Sequence, residues 1–329
     1  MESESLNKLN KLRKAYYQKS TSDEDFLERI NNILQKDEEK NYLQESPNYP
    51  FIFVFGLPRS GTTMMSQLLI KSFDLGYINN FMARFWLAPA TGIKLSKIIL
   101  GDKQETELES DFATTKNIYD LHEFGYFWRY WLNIHSTNDA IQIQNREAKT
   151  DWHQLQVVLA NMQREFNKTM CMKNIFGAYH IPMLTKLLPQ TVWVYIERDP
   201  LDVAISILNA RKKFFKDLNL WWSTVPPEYP RLKGLNYIEQ IAGQVYYLLK
   251  FYNEQLNKIN SRHIFKVKYK DLCNDPSYYM QEFQDKMIQD FGFQLPGRKF
   301  PEKLKFNYYN INTKEEEKLR DALKNFNLI

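Results

Sequence analysis

The segment from Gly56 to Thr63 reads GLPRSGTT and has the composition of a loop that holds a phosphate. Glycine lets an anion approach the backbone closely, and the free N–H groups at a helix start, with the positive end of the helix dipole, stabilise its charge. Arg59 adds a fixed cation. A glycine turn that only linked a strand to a helix would not require this combination of residues. The residues predicted to bind an anionic group are Arg59, Ser60, Gly61, Thr62 and Thr63.

The loop differs from a Walker A loop, GxxxxGK[ST], at one position. Gly56 and Gly61 have the required spacing, but Thr62 occupies the place of the lysine that bridges the terminal phosphates of a nucleoside triphosphate. An NTPase or kinase without that lysine would lose a main source of charge neutralisation. A P-loop kinase or NTPase is kept as an alternative, because the strand that ends near Glu197 and Asp199 could serve as a Walker B element.

Alternating strands and helices must position this loop. The continuous apolar run from Phe51 to Leu57 predicts a buried strand of a parallel sheet, and residues 62–73 repeat apolar side chains at helical spacing. Further strands are predicted at 170–176, 192–196 and 264–269, with helices around Pro182 to Leu188 and after Asp199 and Pro200. The sequence therefore predicts an α/β fold with a doubly wound, mostly parallel sheet flanked by helices, and ligands at the carboxyl ends of its strands.

Two segments carry a resemblance to a known family. PRSGTT resembles the 5′-phosphosulfate loop of sulfotransferases, and ERDPLDVAIS resembles their second signature, an arginine that ends a strand and a serine eight positions later. In the family these groups, here Arg198 and Ser206, hold the 3′-phosphate of 3′-phosphoadenosine 5′-phosphosulfate (PAPS). Asp199, Asp202 and Ser206 share one helical stripe, so Ser206 lies about two turns from the helix cap. The resemblance, from about residue 50 to 275, implies a P-loop-like enzyme that moves a sulfuryl group from PAPS to a hydroxyl or amine.

The sequence departs from the family at its catalytic base. Lys173 corresponds to the lysine of a Lys-Thr-His stretch in cytosolic sulfotransferases, but Ile175 stands in place of the histidine. That base therefore cannot be carried over. The stretch VKYKDLCNDP resembles the family's Tyr-Glu-Asp-Leu segment, which implies that Tyr269 lies against the adenine; a ring packed in the core is the alternative.

Sulfuryl transfer needs an in-line nucleophile, a base that removes its proton, and stabilisation of charge on the departing phosphate. Lys173 is the candidate for the last task, and no metal is required. His122 and Glu123 are the candidate bases, because their aromatic surroundings could raise a carboxylate pKa by desolvation. A structural role for each, such as an ion pair of Glu123 with Arg129, is the alternative. His180 is a reserve candidate that fits a core histidine better.

Composition bounds the class of protein. The 329 residues are 43% apolar, 15% aromatic and 25% charged, which is typical of a globular chain. A net charge of +5 is too weak to indicate a nucleic-acid partner. Cys171 and Cys273 are predicted to be buried free thiols. No apolar run approaches the ~20 residues that span a bilayer, and the first residues lack the apolar core of a signal peptide, so a cytoplasmic location is expected.

The organisation of the chain is predicted as a helical N-terminal extension over residues 1–46 and a single domain over 47–329. Two amphipathic helices are expected in the extension, from apolar residues at helical spacing: Leu6, Leu9 and Leu12, then Phe26, Ile30 and Ile33. Segment 212–232, with paired tryptophans and prolines, is either a cover for the acceptor or core packing. The acceptor, whether small molecule, glycan or lipid, and the oligomeric state stay open. A nucleotide-binding protein without catalysis is a third alternative, because of Ile175.

Overall fold

The computed structural model describes residues 10–101, 117–297, 300, 304, 309 and 311–329. The strands in these residues are β1 (Phe51–Gly56), β2 (Met170–Lys173), β3 (Thr191–Glu197) and β4 (Ile264–Lys268). The α-helices are α1 (Thr21–Glu38), α2 (Thr62–Ser72), α3 (Pro89–Leu100), α4 (Gly125–Trp131), α5 (Thr137–Ile141), α6 (Ile143–Lys149), α7 (Trp152–Phe166), α8 (Ile181–Leu187), α9 (Pro200–Phe214), α10 (Tyr229–Leu232), α11 (Tyr237–Leu256), α12 (Tyr269–Asn274), α13 (Pro276–Phe291) and α14 (Lys314–Lys324).

The four strands form one parallel sheet in the order β2-β1-β3-β4. Chain order reverses at β1, since β2 lies on one side of it and β3 on the other. Ligands of open α/β sheets bind at such a switch point, outside the carboxyl ends of the strands. Gly56, the last residue of β1, is in register with Ile196 of β3. The loop after β1 and the turn after β3 therefore start side by side.

The sheet is covered on both faces, which explains why β1 reads as a continuous apolar run. Phe51, Phe53 and Phe55 belong to a large core on one face, whereas Ile52 and Val54 belong to a smaller core on the other. Helices α7, α9 and α11 contribute to the first core, and α2 and α13 to the second. The predicted doubly wound α/β architecture is thus confirmed.

The predicted strands and helices differ from the structure mainly at their ends. Strand β2 ends at Lys173 and not at residue 176, because the chain turns where the Asn174 side chain accepts a hydrogen bond from the N–H of Gly177 at 2.6 Å. Tyr269 opens helix α12 and does not end strand β4. Helix α9 starts as predicted: the Asp199 carboxylate accepts from the N–H of Leu201 at 2.8 Å, and proline follows the cap.

The N-terminal extension is attached differently from the prediction. Most of the first expected helix, including Leu6 and Leu9, falls outside the described residues. Leu12 lies in an exposed turn. Helix α1 is present, but the apolar face predicted from its spacing does not make the contact, since Phe26 is 52% and Ile33 60% exposed. Polar groups attach it. The buried Asn31 donates to the Arg84 carbonyl at 2.7 Å and accepts from the Leu87 N–H at 2.8 Å.

The remaining predictions concern the two cysteines, segment 212–232, the domain division and membrane-spanning helices. Cys171 and Cys273 are buried free thiols, as predicted. Segment 212–232 begins inside α9, and the partly buried Trp221 and Trp222 pack against the larger core, so its role as a cover stays a prediction. The division at residue 46 stays a prediction as well. In the described part of the chain, no helix is both long enough and apolar enough to pass through a bilayer.

Candidate active site

Two backbone conformations shape the loop between β1 and α2. Arg59 and Gly61 have φ angles of +71° and +103°, in the left-handed region that few residues other than glycine adopt. A Cβ on Gly61 would lie 2.6 Å from the Tyr269 ring, and one on Gly56 would lie 2.7 Å from the Ile196 carbonyl oxygen. Both glycines are therefore required by close approach, and Tyr269 packs directly against the loop.

The two sequence motifs meet in the structure. The Nε of Arg59, from the loop after β1, donates to the Oγ of Ser206 at 3.0 Å. Arg198, from the turn after β3, donates through Nη1 to the Arg59 carbonyl at 3.0 Å. Arg59 thus forms a single cluster with Arg198 and Ser206, which lie 139 and 147 positions later in sequence, at the carboxyl edge of the sheet.

The Arg198 side chain is enclosed by rings and a carboxylate. Its guanidinium carbon lies 4.5 Å from the Tyr269 ring centroid and 5.8 Å from that of Tyr309. The Asp202 carboxylate lies 3.7 Å from Nε of Arg198 and accepts from the Tyr309 N–H at 2.9 Å. Burial raises the pKa of Asp202, and the hydrogen bond from Tyr309 and the charge of Arg198 oppose that rise.

Sequence reasoning missed Tyr309. Its hydroxyl is 3.5 Å from Ser206 Oγ, so it borders the same cluster as Arg59. It lies in a stretch, NYYN, that has no periodic pattern and no glycine signal. A tyrosine next to asparagines carries no signal that would have placed it beside a serine 103 positions earlier.

A second group of charges surrounds the end of β2. The Lys173 ammonium donates to Thr63 Oγ1 at 3.0 Å and forms an ion pair with the Glu123 carboxylate. The Lys173 side chain is only 5% exposed, whereas that of Glu123 is 33% exposed. The carboxylate and the hydroxyl therefore hold the buried amino group of Lys173 in one position. Two of the predicted catalytic residues, Lys173 and Glu123, therefore contact each other, and Lys173 also contacts the anion loop.

His122 is close to this group but its ring is engaged elsewhere. Its Nδ1 accepts a hydrogen bond from the Phe124 N–H at 2.9 Å, which leaves the ring proton on Nε2. Burial lowers the pKa of His122 to about 4, against an opposing influence of the neighbouring Glu123. The imidazole is therefore neutral at pH 7, and its one acceptor nitrogen already has a donor.

His180 has the contacts of a core histidine. The Arg146 guanidinium donates to its Nε2 at 2.6 Å, so the ring proton is on Nδ1, which donates to the Glu147 carboxylate at 2.9 Å. Burial is the main cause of its lowered pKa. These partners occupy both ring nitrogens, which leaves the reserve candidate without a nitrogen to act as a base.

Comparison with known proteins identifies the family of the chain. The model of the sulfotransferase family matches residues 50–286, most of the chain. The chain belongs to the sulfotransferase family. The match includes the anion loop, Lys173, Arg198, Ser206 and Tyr269.

Relatives and solved structures extend the comparison. The omega-hydroxy-beta-dihydromenaquinone-9 sulfotransferases Stf3 of Mycobacterium bovis and Mycobacterium tuberculosis are each 22% identical over 271 residues, 75% of this chain. The chain spans 65% of the length of these curated relatives. The crystal structure of sulfotransferase STF9 from Mycobacterium avium matches with a TM-score of 0.54 at 14% identity, over 95% of this chain and 78% of that one. This likeness confirms the sulfotransferase fold.

Proposed function

We propose that this sulfotransferase uses PAPS as its donor and an acceptor hydroxyl or amine as its nucleophile, with 3′-phosphoadenosine 5′-phosphate (PAP) as the second product. The observation that carries the proposal is the hydrogen bond from Arg59 to Ser206, with Arg198 bonded to the same loop. PAPS carries anionic groups on the 5′ and 3′ sides of one ribose. A site for it needs cations from two segments within the reach of a single ribose, and the two motifs satisfy that requirement.

The loop also fits a bound anion. The Ser60 hydroxyl is fully buried and has no hydrogen-bond partner in the part of the chain that the structure describes. Buried hydroxyls are normally satisfied, so an unsatisfied one at an anion loop favours a missing acceptor oxygen. Gly61 is the N-cap of α2, and the first N–H groups of a helix have no partner within the helix, so they can donate to an anion. Arg59, Ser60, Gly61, Thr62 and Thr63 would hold the 5′ group, and Arg198 with Ser206 the 3′-phosphate.

PAPS would supply the sulfuryl group, which leaves the 5′-phosphate as its S–O bond breaks and a new S–O bond forms with the acceptor. Lys173 is the group of this chain that meets the negative charge on the departing phosphate. Thr63 fixes the lysine beside the loop at 3.0 Å, so the charge is in place before the reaction and needs no rearrangement. Tyr269, packed against Gly61 and Arg198, would be the neighbour of the adenine.

Glu123 is the better candidate of the two predicted bases. Its side chain is a third exposed, so an acceptor can reach it, and a carboxylate oxygen can accept a proton as a general base. His122 offers only Nδ1, which the Phe124 N–H occupies. The acceptor proton would therefore move to a Glu123 oxygen.

The acceptor is proposed to be a hydroxyl on a largely apolar molecule. Aromatic residues follow Glu123 directly in the chain: the Phe124 ring stacks on Phe127, and the Tyr126 ring packs against Trp86. The Stf3 relatives are named for an omega-hydroxy menaquinone acceptor, which is such a molecule. No nucleic-acid partner is proposed.

Nucleotide binding tests the donor part of the proposal. PAP and ATP are titrated into the full chain by calorimetry, with and without magnesium. We expect tight, magnesium-independent binding of PAP and weak binding of ATP. Tight ATP binding that requires magnesium would instead support the kinase or NTPase alternative.

Transfer tests the catalytic part. Donor labelled in the sulfuryl group is incubated with a panel of alcohols, phenols and amines, and PAP release is measured with and without acceptor. We expect PAP and a sulfated product in equal amounts, and only when an acceptor is present. PAP binding without transfer to any acceptor would support the non-catalytic alternative.

A further inference from the structure

Residues 10–19 form a compact surface loop, here called the N-terminal loop, that has no part in the chemistry above. Asn10 closes it, because its side-chain amide donates to the Lys19 carbonyl at 2.9 Å and its side-chain oxygen accepts from the Lys19 N–H at 2.8 Å. Gln18 donates to the Arg13 carbonyl at 2.9 Å inside the loop. None of residues 10–19 is buried, so polar contacts and not core packing hold the loop in place.

One side of the N-terminal loop is attached to the end of α9, the helix that carries Ser206. The Lys14 N–H donates to the Phe214 carbonyl at 2.9 Å, and its ammonium donates to the Lys212 carbonyl at 2.7 Å. The Tyr17 ring meets the Phe214 ring edge-on with centroids 4.8 Å apart. Phe214 in turn is parallel to Trp222, at 6.3 Å.

The other side is attached to α4, the helix that follows Glu123. The Lys19 ammonium donates to the Tyr126 hydroxyl at 2.7 Å and pairs with Glu24 at 3.2 Å. The Tyr126 hydroxyl donates to the same Glu24 carboxylate. Lys19, Glu24 and Tyr126 thus all contact one another. Tyr126 is only three residues beyond Glu123 in sequence. The Tyr126 ring also packs on Trp86, with centroids 4.9 Å apart.

We infer that the N-terminal loop selects the acceptor by narrowing the approach to Glu123. Between the contacts of Arg13 with Phe215 and of Lys19 with Tyr126 lie only six residue steps, which span at most about 20 Å. The loop therefore closes a gap between the helix after the base and the end of the helix that carries Ser206. The rings of Tyr17, Phe214 and Trp222 pack together at one attachment, and those of Trp86 and Tyr126 at the other. On this inference, an acceptor that passes between the two groups of rings to reach Glu123 is slender and carries a terminal hydroxyl. This inference rests on the proposed function.

Substitutions that loosen the two attachments test it in the full chain. Tyr126→Phe removes the hydroxyl that Lys19 and Glu24 hold but keeps the ring, and Tyr17→Ala removes the contact with Phe214. Lys11→Met, on the same loop but outside both attachments, is the matched control. The probes are dodecanol and cyclododecanol, which have the same carbon number and differ in width. For each variant, kcat/KM is measured with both alcohols, together with the Kd of PAP and the melting temperature.

We expect the preference for dodecanol over cyclododecanol to fall by about fivefold or more in Tyr126→Phe and Tyr17→Ala, with the Kd of PAP changed less than about twofold. Lys11→Met should keep the preference of the unmodified protein. An unchanged preference in both loosened variants would overturn the inference while leaving the proposed function intact. Absence of transfer to either alcohol and to every acceptor of the panel above would count against the proposed function, and the inference would fall with it.

Discussion

At the scale of single residues, the site consists of two charge groups joined by the anion loop. Arg59 connects the loop to Ser206, and Thr63 connects it to Lys173. The ion pair of Lys173 with Glu123 places the side chain that would stabilise the departing phosphate next to the carboxylate that would accept the proton. The composition of the loop and the Arg198–Ser206 spacing were readable from the sequence. The partnership of Lys173 with Glu123 was not, because 50 positions separate them and no short pattern links a strand end to a helix start.

Replacement of Arg59 by lysine tests the cation cluster. An ammonium cannot reproduce the planar donor geometry of the guanidinium toward Ser206 and a phosphate. We expect the Kd of PAP in Arg59→Lys to rise by about tenfold to a hundredfold, the equivalent of about 1.4 to 3 kcal/mol. Calorimetric titration measures it, with Lys250→Ala on the exposed side of α11 as a control for lost positive charge. Equal affinities in Arg59→Lys and the unmodified chain would argue against a phosphate contact.

A pair of neighbouring substitutions tests the assignment of the base. In Glu123→Gln, kcat should fall by about a hundredfold to ten-thousandfold with little change in the Kd of PAP, since general-base catalysis contributes of that order. In His122→Asn, the amide oxygen can accept the same Phe124 N–H, and kcat should stay within about threefold because that nitrogen is not the base. Steady-state kinetics across pH measures both. A large loss confined to His122→Asn would reverse the assignment.

At the scale of elements, the sequence was informative where backbone geometry and burial dictate residue type. Strand β1 was predictable because both of its faces are covered, and α9 because Asp199 and Pro200 are strong helix-start signals. The attachment of α1 was not predictable. Periodicity identifies apolar faces, and this helix leaves Phe26 and Ile33 in solvent while it buries Asn31. Whether a buried asparagine finds backbone partners depends on a segment more than 50 positions away.

The glycine of the anion loop gives a prediction at this scale. Gly61→Ala places a Cβ both at φ +103° and 2.6 Å from the Tyr269 ring. We expect a loss of about 2 to 4 kcal/mol in the free energy of unfolding, since the conformation alone costs ~1–2 kcal/mol. PAP affinity should fall as well. Urea unfolding and calorimetry measure the two effects.

Two other glycines separate the causes of that loss. Gly292→Ala has a φ of +65° and no neighbour within 4 Å of the new Cβ, so it should cost only the conformational part. Gly234→Ala has neither feature and should be close to neutral. If Gly61→Ala cost no more than Gly292→Ala, the close packing of Tyr269 against the loop would be refuted.

At the scale of the whole molecule, three histidines that folding removes partly or wholly from water make stability sensitive to acid. Burial lowers the pKa values of His122, His180 and His263 below the usual 6.5, and that of His122 to about 4. Below pH 6.5 the unfolded chain binds protons at these positions that the folded chain does not, so unfolding is favoured as pH falls. The free energy of unfolding therefore has its full value above pH 6.5 and decreases as the pH falls from 6.5 toward the pKa values of these histidines in the folded state.

The expected size of this effect can be measured. For His122 alone, a shift from 6.5 to about 4 corresponds to a loss of up to ~3 kcal/mol in the free energy of unfolding. Urea unfolding at about pH 7.5, 6 and 5, on both sides of the ordinary histidine pKa, should therefore show falling stability, with a shallower fall in His122→Asn. Substitution of the exposed His153 by glutamine should leave the slope unchanged. Parallel slopes for His122→Asn and the unmodified chain would contradict the prediction.

The position of β1 in the sheet has a kinetic consequence. Both of its neighbours, β2 and β3, come more than 100 residues later in the chain, as the pairs Phe51 with Met170 and Phe51 with Thr191 illustrate. During synthesis on a ribosome this strand is made before the other three. Its apolar segment, FIFVFG, therefore stays exposed until the strands that pair with it have been synthesised. Topologies of this kind fold slowly and expose aggregation-prone edges meanwhile. Recovery of native protein in overexpression should therefore depend on temperature and chaperone supply more than on the equilibrium stability of the finished molecule.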